Sequence, residues 1–125
     1  MKLFLTAAAI FGFLGVAFGA FGAHALKDKL DPHYLEVFKT GVQYQMYHAF
    51  ALIAVALLMK FSAQQSNNLL VYSGWAFLIG IIIFSGSLYI LSVSGIKIFG
   101  AITPIGGLSF LIGWALLFWH VVKSI

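Results

Sequence analysis

Charge is what this chain has least of. Only 8% of its 125 residues are charged, where a soluble domain usually carries about 25%. The acids are Asp28, Asp31 and Glu36, all in one stretch, and arginine is missing. No carboxylate stands inside an apolar run, which argues against a proton-coupled or cation carrier. A serine nucleophile such as Ser85 or Ser87, paired with His48, would also lack the buried acid that orients its base. Cysteine is absent, so disulfides, thiolate metal sites, iron–sulfur ligation and cysteine nucleophiles are excluded. No His-Glu metal motif, phosphate loop or dinucleotide fingerprint occurs. The formal charge of +4 comes from lysines without a run or aromatic interleaving. That balance suits anionic lipid headgroups and not nucleic acid.

What is present is apolar: 62% of residues are hydrophobic and 17% aromatic. No soluble fold of this length hides so much apolar surface, so the chain belongs in a bilayer. Four runs, about 3–23, 42–59, 69–91 and 98–122, each match the roughly 20 helical residues that cross the hydrocarbon core. The expectation is an all-α, single-domain bundle of four transmembrane helices over residues 1–125. The first run follows Lys2, and Ala23-His24-Ala25 mimics a cleavage site. Its length exceeds a signal-peptide core, and it is taken as a retained span.

Ala8, Gly12, Gly15, Gly19 and Gly22 recur at steps of 4, 3, 4 and 3. They draw one small-residue stripe that lets another helix approach closely, within the chain or around an oligomer axis. Gly106, Gly113 and His120 recur at seven in the fourth run and give a second such face. Asp31-Pro32 is a good helix start, flanked by Leu30 and Leu35 as a hydrophobic staple. With Tyr34, Leu35 and Phe38 on one side, Asp31–Lys39 is expected as a short interfacial helix between the first and second spans. Residues 60–68 (KFSAQQSNN) are expected as a polar turn, and Thr103-Pro104 as a fresh helix start or a sharp kink. The lysines, with the amino terminus, divide evenly between the two sides, so the positive-inside rule gives no orientation.

The chemistry concentrates in residues 40–50, TGVQYQMYHAF. Gln43, Tyr44, Gln45, Tyr47 and His48 occupy adjoining faces of a helix, and Ser85, Ser87 and Tyr89 can meet them from the third. Such groups should turn toward protein, a cavity or the headgroup zone. Gln45 and His48 are expected to bond to Ser85 or Tyr89. His24 and His48 invite a bis-histidine haem or a quinone, against the plainer reading of locally bonded histidines. No cofactor or metal is assigned.

Gly19-Ala-Phe-Gly-Ala-His24-Ala, Thr40-Gly-Val-Gln-Tyr-Gln45-Met-Tyr-His48-Ala, Phe84-Ser-Gly-Ser-Leu-Tyr89 and Thr103-Pro-Ile-Gly-Gly107 with Phe110-Leu-Ile-Gly-Trp114 resemble the small YgdD-type bacterial inner-membrane family, a domain of unknown function. The likeness covers nearly the whole chain. It implies a four-helix protein of the cell membrane with both termini in the cytoplasm, and it implies no catalytic residues. The functional expectation is a non-catalytic protein that organises or stabilises the membrane, with lipids as partners. The alternatives are an oligomeric solute or ion pathway lined by the polar patch, and the histidine cofactor site.

Overall fold

The computed structural model describes residues 1–62 and 67–124. Four helices account for most of them: Lys2–His24, Pro32–Phe61, Asn68–Ser94 and Ile98–Ser124, each long and apolar enough to cross a membrane. No strand occurs among the described residues. Residues 63–66 of the expected polar turn lie outside the described residues.

The second helix corrects one expectation. It starts where foreseen, with the Asp31 carboxylate accepting from the His33 N–H at 3.2 Å and Pro32 in the first position. It then runs unbroken for 30 residues, so no separate interfacial helix exists. Nothing between Lys39 and Val42 stops it, since a lone glycine at 41 is tolerated inside a helix. The apolar side of this segment also has protein to cover it. Phe38 is buried against Gly22 of the first helix, and its ring lies 5.0 Å from that of Tyr89. At about 45 Å the helix exceeds a hydrocarbon core of roughly 30 Å. One element therefore spans and still projects beyond the core.

The fourth helix excludes one of the two expectations for Thr103-Pro104. It begins at Ile98 and continues through Pro104, so no new helix starts there. Proline forfeits one backbone bond at this place, the one to Gly100 four residues back. The preceding Thr103 hydroxyl bonds back to the Phe99 carbonyl at 3.0 Å.

The third helix packs on both the second and the fourth, and the first helix packs mainly on the second. The small-residue stripe of the first helix is used unevenly against it. A methyl group at Gly22 would lie 2.7 Å from the Phe38 ring, and one at Gly15 would lie 2.3 Å from the Met46 sulfur. At Gly19 it would make an ordinary contact with Val42, and at Gly12 it would meet nothing. Ala8 is buried in the core with Phe4, Leu52, Val55, Leu70 and Phe77.

The third and fourth helices are joined by side-chain bonds. Ser73 donates to the Gly113 carbonyl at 2.8 Å, Ser109 to the Ala76 carbonyl at 2.6 Å, and Ser87 shares a 2.6 Å bond with Thr103. Gly106 is the closest approach, where a methyl group would lie 2.4 Å from the Phe84 backbone nitrogen. Opposite it the third helix widens into a π-helical segment, Ile81–Ser85, which Gly86 closes by an N–H bond to the Ile81 carbonyl.

Candidate functional site

The polar patch divides into an inner and an outer set. Gln45, His48, Ser85 and Ser87 are buried, and Tyr89 is half-buried. Gln43, Tyr44 and Tyr47 stand on the outer surface of the bundle. The sequence could not separate them, because neighbouring faces of the same helix turn carry both.

Gln45 ties three helices together. Its Nε2 donates to the Phe11 carbonyl of the first helix at 2.7 Å, and its Oε1 accepts from the Tyr89 hydroxyl of the third. Ser85 of the third donates to the Gly41 carbonyl of the second at 2.7 Å. The link to Phe11 was not foreseen. Its one sequence signal is the pair Gly12 and Gly15, which leave that stretch of backbone uncovered.

His48 turns to the fourth helix, not the third. Its Nδ1 lies 2.7 Å from the Tyr44 carbonyl, and its Nε2 lies 3.1 Å from the Trp114 indole nitrogen. A carbonyl only accepts and an indole N–H only donates. The ring is therefore the neutral tautomer with its proton on Nδ1. Phe110 stacks flat on it, with centroids 3.5 Å apart and planes 6° from parallel. Phe110 and Trp114, four residues apart on one face, stood in a motif quoted for the family likeness but not in the patch. Ser87 also leaves the patch, bonding to Thr103 and the Phe84 carbonyl.

The pairing of His24 with His48, the alternative to locally bonded histidines, does not form. Gly15, Gly19 and Gly22 lie opposite Met46, Val42 and Phe38, a register that sets His24 level with about Val37. Eleven residues of helix separate that level from His48, about 16 Å, too far for one iron to join the two rings. His24 is exposed. Among the described residues no three His, Asp or Glu side chains gather as a metal site.

Between the second and fourth helices lies a cleft of about 590 Å³. Its walls are Tyr44, Tyr47, Phe50, Phe84, Phe110 and Trp114, with His48, Gly107 and Leu111 completing it. It is open to the outside of the bundle, and its lining is almost wholly apolar. Its size falls within the roughly 300–1,000 Å³ of small-molecule sites.

A model for the family described as "Protein of unknown function (DUF423)" matches residues 18–107. The chain is 50% identical over 124 residues, 98% of each chain, to the UPF0382 membrane protein YwdK of Bacillus subtilis. It is 45% identical to the UPF0382 membrane protein SAB0533 of Staphylococcus aureus, over 94% of this chain and 93% of that one. It is 42% identical to SH2409 of Staphylococcus haemolyticus, over 100% and 99%. No solved structure matches. The chain therefore belongs to the DUF423 family of membrane proteins of unknown function.

Proposed function

We propose that this protein is a non-catalytic resident of the bacterial cell membrane that organises the lipid around it, with both termini in the cytoplasm. The orientation and the YgdD-type likeness rest on the four sequence motifs. The carrying observation is that the buried polar groups of the patch are bonded within the bundle. Gln45 is bonded at both amide ends and His48 at both ring nitrogens, while Ser73 and Ser85 are tied to neighbouring backbones. Groups held this way brace helices against each other and leave no chain of free ligands for a moving solute. Outward, the bundle offers apolar and aromatic side chains such as Phe13, Phe50, Phe118 and Trp119, which pack against acyl chains.

The test is reconstitution of the purified protein into liposomes. The expected result is no flux of protons, alkali cations or small neutral solutes above protein-free vesicles, together with a protein-dependent change in acyl-chain order read by probe anisotropy. Saturable flux that is lost in Gln45→Ala would overturn the proposal in favour of a pathway.

A further inference from the structure

The cleft between the second and fourth helices lies beside the bonded His48–Trp114 pair, and its position and lining specify a guest. We propose that it binds a flat, uncharged, lipid-soluble ring bearing a carbonyl oxygen, the chemistry of a quinone. Depth is the first argument. Leu111 is the middle residue of Ile98–Ser124, and His48 lies beside the middle of Pro32–Phe61, so the cleft opens toward the hydrocarbon and excludes a charged headgroup.

The walls are the second. Six of the cleft's nine lining residues, Tyr44, Tyr47, Phe50, Phe84, Phe110 and Trp114, are aromatic. Aromatic side chains take a further flat ring in offset or edge-to-face contact, at about 4.5–7 Å between centroids. The third is a donor. Tyr47 accepts the Gln43 amide N–H on its hydroxyl oxygen at 2.6 Å, which leaves its own O–H proton to give. The side chain is 52% exposed, and the hydrocarbon offers it no acceptor. A ring oxygen on the guest supplies one. No electron transfer is part of the proposal.

The experiment uses the full chain in lipid nanodiscs and a decyl-substituted benzoquinone as the probe. Trp75→Phe and Trp119→Phe, both at exposed positions, leave Trp114 as the sole emitter, inside the cleft. The expected result is saturable quenching of Trp114. Gly107→Leu should abolish the saturable part by filling the cleft, since a methyl group there meets nothing closer than 3.9 Å. Tyr47→Phe keeps the ring and removes the O–H, and should weaken binding about three- to tenfold, the worth of one net hydrogen bond. Decylbenzene, which has no ring oxygen, should not compete. Quenching that rises linearly and equally in Gly107→Leu shows partition into lipid and overturns the site. Equal competition by decylbenzene, or unchanged binding in Tyr47→Phe, overturns the ring-oxygen recognition. A drop in particle mass on Gly107→Leu would show a second copy to be the occupant and overturn it too.

Discussion

Gly106 and Gly107 are adjacent in sequence and opposite in what they face, which allows a controlled perturbation. A methyl group at Gly106 would lie 2.4 Å from the Phe84 nitrogen and 2.7 Å from its Cα. Non-bonded carbon atoms rest at about 3.5–4.0 Å, so the shortfall is about 1 Å against backbone, which cannot rotate away. At Gly107 the nearest atoms are 3.9 Å off, an ordinary contact. Alanine in a helix gains about 0.8–1.0 kcal/mol over glycine, and both sites share that gain. The difference between Gly106→Ala and Gly107→Ala is then the overpacking alone, about 1–3 kcal/mol. Because two helix backbones must separate, the upper end is expected. Thermal unfolding in detergent should place Gly107→Ala at or above the parent. Gly106→Ala should melt several degrees below Gly107→Ala, given roughly 2–8 °C per kcal/mol. Equal melting temperatures would refute the close approach at Phe84.

Other expectations follow from the buried bonds. Tyr89→Phe leaves Gln45 Oε1 without its partner and should cost about 1–3 kcal/mol, read by the same melt; Gln45→Ala should cost at least as much, since it strands the Tyr89 hydroxyl as well. His48→Ala removes the ring on which Phe110 stacks and strands the Trp114 N–H, so it should lower stability by about 2–4 kcal/mol and red-shift Trp114 emission; an unshifted spectrum would contradict that contact. Within the stripe of the first helix, Gly22→Ala should destabilise and Gly12→Ala should not, because only the former meets a ring; equal melts would show that the stripe is not packed on the second helix as described. The purified protein is expected to show no Soret band, and one that survives His24→Ala but not His48→Ala would reopen haem binding.

The four spans were legible because length and hydropathy alone decide them. The start at Asp31-Pro32 was legible for the same local reason, a side-chain cap followed by a residue with no N–H to satisfy. The fusion of the expected interfacial helix, Asp31–Lys39, with the second span was not. It depends on Phe38 finding Gly22 and Tyr89, contacts made by residues far off in the chain. The passage through Pro104 depends likewise on local bonds of Thr103. In the patch, periodicity put Gln45 and His48 on nearby faces, but which helix each would meet is set by how the second helix rotates within the bundle. The roughly 60° between residues three apart on a helix sends Gln45 to the first and third helices and His48 to the fourth. Trp114 gave no polar signal in an apolar run, and the cleft exists only once Gly107 and Phe110 face Tyr44.

The π-helical segment at Ile81–Ser85 has a consequence for what the chain can tolerate. One residue more than an α-helical turn needs is stored there, so the two halves of the third helix run out of phase. The first half aims Ser73 at the fourth helix, and the second aims Ser85 and Tyr89 at the second helix. Deleting any one of Ile82, Ile83 or Phe84 would remove the stored residue, restore a uniform winding and leave everything beyond it facing nearly as before. Ser85 and Tyr89 would then stay within reach of Gly41 and Gln45, whereas a second deletion, with no spare residue left to absorb it, would swing them away by about 100°. The segment is thus a reserve of one residue, and a first lost codon there would be absorbed where a second would not.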